Sequence, residues 1–114
     1  MPFADVSAAA TLDLDDDSRG VAATDWDHDG DLDLWISTRT APGVRFLRND
    51  LSSNNQSISL LLVGRSCNRD GIGARIELDL SGDTPTKLVS TQRAGDAFVS
   101  QSSKWQHFGI PNEL

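Results

Sequence analysis

The sequence predicts an all-β protein in two units, and three observations carry that reading. A run of alternating aspartates, Asp25 to Asp33, is flanked by Val21–Thr24 and Leu34–Thr38. The second flank is rich in β-branched and aromatic residues and too short for a typical helix. In Ala74–Leu80, Ile76, Leu78 and Leu80 alternate with Arg75, Glu77 and Asp79, the period-two pattern of a half-buried antiparallel strand. Turn residues recur between such segments along the whole chain, and no stretch makes a convincing helix. The expected architecture is a hairpin unit over residues 1–50, then a small antiparallel β-sandwich or barrel-like domain over residues 56–110.

The elements follow in order. Arg19-Gly20 breaks an acidic stretch, and Val21–Thr24 reads as the first short strand. Leu34–Thr38 is the second, and Ala41-Pro42-Gly43 is a turn signal. Val44, Phe46 and Leu47, interleaved with Arg45 and Arg48, predict a third strand that ends at Asn49-Asp50. Leu51–Gln56 is polar and reads as the linker. Ile58–Val63 is apolar on nearly both faces, which predicts a central, well-covered strand. Asn68-Arg69-Asp70-Gly71 is a tight turn before Ala74–Leu80. Ser81–Pro85 turns the chain into Lys87–Arg93, and Ala97–Val99 and Trp105–Ile110 are short final strands.

Composition narrows the function. The chain has 114 residues and a net charge of −7, all of it in residues 1–50, which hold eleven Asp and four Arg. The remainder is neutral. Nucleic-acid binding needs a basic surface, so that class of partner is excluded. No apolar run is long enough for a transmembrane helix. Met1–Asp5 has no basic region followed by an apolar stretch, so no signal peptide is expected here. Cys67 is the single cysteine, which rules out an intrachain disulfide and a cysteine-rich zinc site. It reads as a small buried side chain near a turn.

The densest chemistry is Asp25-Trp26-Asp27-His28-Asp29-Gly30-Asp31-Leu32-Asp33. Like charges this close oppose folding unless a cation or solvent relieves them. Oxygen ligands at positions 1, 3, 5, 7 and 9, with glycine at 6, form the pattern of a calcium loop. Asp25, Asp27 and Asp29 would give carboxylates, Asp31 its backbone carbonyl, and Asp33 would close the site. The loop is not an EF-hand, because Ile36 stands where that motif needs a bidentate Glu. Asp13-Leu14-Asp15-Asp16-Asp17 lacks the turn glycine and reads as a solvated loop. Asn68, Arg69 and Asp70 gather a carboxamide, a guanidinium and a carboxylate that suit a sugar or a peptide carboxylate. The alternative is a structural hairpin turn with Arg69 paired to a carboxylate.

Gly20–Leu34 resembles an FG-GAP/VCBS repeat, with the repeat's aspartates on Asp25, Asp27, Asp29 and Asp33 and its turn glycine on Gly30. Phe3-Ala4-Asp5-Val6 is similar to the strand that opens such a repeat. The resemblance implies a β-propeller blade that binds Ca2+. Residues 56–109 resemble the ASPIC/UnbV domain, most specifically in Asn68-Arg69-Asp70-Gly71-Ile72-Gly73-Ala74-Arg75. That domain follows such repeats in cartilage acidic protein-like proteins, which implies an extracellular, periplasmic or cell-surface location. A single repeat does not close a propeller, so further blades of a parent chain, or a homodimer, are the expected partners.

No Ser/His/Asp or Cys/His set and no phosphate loop is evident, so no catalytic residue is assigned. His28 lies at an even position of the loop and is expected to point away from an ion. His107 is expected to be buried or hydrogen-bonded. The favoured reading is a calcium-binding, non-catalytic β module that contacts a protein or glycan surface. The alternatives are a sugar- or peptide-binding module built on Asn68-Arg69-Asp70, and an accessory part of a larger enzyme.

Overall fold

The computed structural model describes residues 3–51, 56–82 and 85–111. Among them there is no helix. Seven strands form three antiparallel sheets. The first sheet has the order β1-β2-β3, from β1 (Ser18–Thr24), β2 (Asp33–Thr38) and β3 (Val44–Leu47). The others are ribbons: β4 (Gln56–Leu61) with β7 (Trp105–Ile110), and β5 (Arg75–Leu80) with β6 (Thr86–Thr91). No closed barrel forms among the described residues. Most of the linker, residues 52–55, and residues 83–84 of the Ser81–Pro85 turn lie outside the described residues.

The alternation read in β5 becomes its packing. Leu78 faces Leu88 and Leu80 faces Thr86 across the ribbon, and Leu80 is buried. On the opposite face Lys87 pairs with Glu77 at 2.8 Å and Asp79 at 3.4 Å. Arg75 donates to Glu77 at 2.6 Å. The β4–β7 register places Ser57, Ser59, Leu61, Trp105 and His107 on one face and Ile58, Leu60, Gln106 and Phe108 on the other. Phe108 is buried on the second face, where the Ser90 hydroxyl of β6 donates to Gln106 Oε1 at 2.5 Å. The first face meets the aspartate loop: a Cβ on Gly30 would stand 2.7 Å from Ser57 Oγ.

The halves also meet along the outer edge of β1. The Ala23 amide donates to Ser102 Oγ at 3.1 Å, and the Ser103 amide donates to the Ala23 carbonyl at 3.1 Å. The Cα radius of gyration is 16.4 Å, against about 13 Å for a compact domain of 100 residues. Space therefore remains between the sheets.

Four expectations change. β4 is not a central, well-covered strand. Its ladder partner is β7, and Leu61 and Val63 stay largely exposed. Apolar content on both faces predicts cover only where other elements pack there, and here Ile58 and Leu61, on opposite faces of the ribbon, both stay exposed. Ala97–Val99 is not a strand but a turn closed by an Ala97–Ser100 bridge, with Val99 at φ 52°. Phe3–Val6 forms no strand. Val6 instead accepts the Ala10 amide in a turn. Cys67 is exposed.

Candidate cation site and inter-sheet cleft

The hairpin between β1 and β2 carries the aspartate run. Thr24 and Asp33 pair at its base. Between them His28 and Gly30 take left-handed backbone, φ 61° and 96°. Glycine adopts this conformation freely, and His is among the side chains that tolerate it. These two residues curl the loop so that alternate side chains converge. Carboxylate oxygens of Asp25, Asp27 and Asp29 all lie within 4.8 Å of one another. Two oxygens on opposite sides of one Ca2+ are separated by about 4.8 Å, so the cluster fits one such ion.

The other two aspartates lie outside that cluster. Asp33 is 1% exposed. One of its carboxylate oxygens accepts the Trp26 amide at 3.0 Å and the other the Asn49 amide at 2.9 Å. It ties the start of the loop to the end of β3. The Asp31 amide donates to Asp29 Oδ1 at 2.9 Å, which helps fix the turn. Asp25 Oδ2 accepts the Gly30 amide at 3.3 Å. Its Oδ1 is buried and has no hydrogen-bond partner. A buried carboxylate oxygen left without a donor is costly, and a cation would satisfy it.

The upstream acidic stretch is only partly solvated. Asp16 forms a two-bond ion pair with Arg45 of β3, and its side chain is 6% exposed. The hydrogen bond from Arg45 holds the Asp16 carboxyl below the usual carboxylate range. Arg19 neutralises Asp17 at 2.7 Å. Arg48 pairs with Asp50. That hydrogen bond raises the Arg48 pKa, and the charges of Asp27 and Asp33 add to the shift.

The Asn68-Arg69-Asp70 turn forms as read, with the Gly71 amide bonded to the Asn68 carbonyl at 3.1 Å. Its polar groups are largely spent on the fold. Asn68 braces Ile72 through the Ile72 amide at 2.5 Å and its carbonyl at 3.0 Å. Asp70 pairs with Lys104. Arg69 makes no ion pair among the described residues. A Cβ on Gly64 would stand 2.1 Å from the Asn68 carbonyl oxygen, so the turn requires glycine there.

A cavity of about 380 Å3 lies between the loop, the edge of β1 and the β4–β7 ribbon. It is lined by Asp25 and His28 from the loop, by Asp96 and Ser102, and by Trp105 and His107. His107 Nδ1 lies 3.2 Å from Ser59 Oγ, its direct cross-strand partner. Register alone brings this Ser–His pair together. Sequence reasoning missed the cleft because its walls come from segments up to 84 positions apart, from Ala23 to His107.

The family model described as ASPIC and UnbV matches residues 64–113. No curated protein and no solved structure matches the chain. The matched span leaves out β4, which pairs with β7 inside it. The second half of the chain is therefore similar to the ASPIC and UnbV family.

Proposed function

We propose that this chain is a calcium-stabilised, non-catalytic β module that serves in extracellular or cell-surface contact. One observation carries the reading: carboxylate oxygens of Asp25, Asp27 and Asp29 converge, and Asp25 also holds a buried oxygen with no hydrogen-bond donor. Hard oxygens and no nitrogen or sulfur ligand favour Ca2+ over transition metals. Waters and the Asp31 carbonyl would complete its shell. Bound Ca2+ would relieve the carboxylate repulsion and lock the β1–β2 hairpin. The loop's resemblance to an FG-GAP/VCBS repeat supports this, as does the ASPIC and UnbV match beside it.

The aromatic face of the first sheet supports membership of a larger assembly. Trp26, Trp35 and Phe46 form a cluster with ring centroids 4.5 to 6.4 Å apart. Trp26 is nonetheless 61% exposed. Exposed aromatics of this kind suit a neighbouring blade or a second protein surface.

Calorimetric titration with Ca2+ tests the ion, with Mg2+ and buffer as controls. Saturable heat with Ca2+ is expected, abolished in Asp27→Ala and preserved in Asp15→Ala. Thermal midpoints should rise with Ca2+ and fall in EDTA, because an ion that binds the folded form alone stabilises it. Heat equal to the Mg2+ control, with equal midpoints, would overturn the reading.

A further inference from the structure

We propose that the cleft between the aspartate loop and the β4–β7 ribbon binds a neutral saccharide. The cavity, about 380 Å3, falls in the lower part of the roughly 300–1,000 Å3 range of ligand sites. That space is too large for a lone ion and suits one or two sugar rings. Its walls combine an aromatic face with polar groups of both kinds. Trp105, the first residue of β7, is 53% exposed and lines the cavity. His107 stands on the same face of the ribbon, its ring oriented by Ser59. Asp96, Ser102 and Ser103 add acceptors and donors around it.

The charges select the ligand class. No Lys or Arg lines the cavity, while two carboxylates do, so phosphorylated and carboxylated ligands are disfavoured. Both carboxylates are already engaged. Asp96 Oδ2 accepts the Ser102 amide at 2.9 Å, and Asp25 belongs to the cation cluster. Engaged carboxylates still accept hydroxyl protons through their remaining lone pairs, so a polyhydroxylated ligand fits better than a cationic one. Hydroxyls would meet Asp96, Ser102 and the imidazoles, and the apolar face of a pyranose would lie on Trp105. The site differs from the Asn68-Arg69-Asp70 turn, whose Asn68 and Asp70 are taken up by Ile72 and Lys104.

The test is calorimetric titration of the full chain with neutral monosaccharides and their oligomers. It is run in Ca2+ and again in EDTA, so the cleft and the ion are read separately. Uronic acids and a polyamine serve as charged controls. Saturable binding at millimolar sugar or below is expected, with uronic acids weaker. Trp105→Ala and Trp105→Leu should each weaken it about tenfold. Trp105→Leu keeps an apolar side chain and should leave the thermal midpoint in place, and Arg69→Ala should bind as the parent does. A steady gain in affinity with oligomer length would identify a glycan chain, rather than a free sugar, as the source. No saturable binding in either condition would overturn the proposal. So would binding indifferent to Trp105→Leu, or tighter binding of the polyamine.

Discussion

Asp27 and Asp33 are both loop aspartates, yet their surroundings give them different tasks. Asp27 is exposed and belongs to the converging triad. Asp33 is buried and holds the amides of Trp26 and Asn49. Removing Asp33 leaves two amides unpaired, at about 1–3 kcal/mol each. Asp33→Ala is therefore expected to lower unfolding free energy by about 3 kcal/mol, in EDTA as well as in Ca2+. Asp27→Ala should leave stability in EDTA unchanged or raised, and should remove the response to Ca2+. Urea unfolding of both variants in both conditions checks this. An equal loss in EDTA would show that the two residues do the same work. Gly64 offers a second residue-scale test. Gly64→Ala would drive a methyl into the Asn68 carbonyl oxygen, and a loss on the order of 3 kcal/mol is expected by the same measurement.

At the scale of elements, the Asp16–Arg45 pair pins the segment before β1 to β3. Its pH dependence follows from the direction of the Asp16 shift. The folded carboxyl is held below its ordinary value of 3.8 by the Arg45 hydrogen bond. A depressed carboxylate pKa gives stability that is fully present above the unfolded value. That stability is lost as pH falls from about 3.8 through the lower folded value. Glu77 behaves alike, its pKa drawn below 4.5 first by Lys87 and then by Arg75. Arg45→Met should flatten the acid limb of the stability curve below about pH 4, while Lys87→Met removes a separate part of it. Thermal midpoints across pH 2–7 for parent and variants give the comparison. An Arg45→Met curve parallel to the parent's would discount the pair.

At the scale of the whole molecule, the loop and the second half share contacts. β1 receives the Ser103 amide through the Ala23 carbonyl, and Gly30 abuts Ser57. Chelation should loosen the aspartate loop first, because the charge excess lies in that half. Amide exchange with and without EDTA is expected to show protection lost over residues 25–38 and at Ser103. Protection should remain over Arg75–Leu80, whose ladder to β6 does not touch the loop. Equal loss in both regions would mean one cooperative unit. No loss anywhere would leave the aspartates as a solvated turn.

The sequence by itself determined the all-β class, the β5 alternation, the span of β7 and the turn at Asn68–Gly71. These rest on local rules: period-two burial and the backbone needs of tight turns. It also marked the aspartate run, since ligand spacing within one hairpin is a local property. Tertiary structure decided how the aspartates divide. Asp33 is drawn inward because the end of β3 presents the Asn49 amide to it, which no spacing rule records. It also decided that Asp16 meets Arg45, 29 positions away, and that Cys67 faces solvent. The cleft is the clearest case. Asp25, Asp96 and Trp105 carry no shared pattern along the chain, and the docking of β1 against residues 102–103 brings them around one cavity.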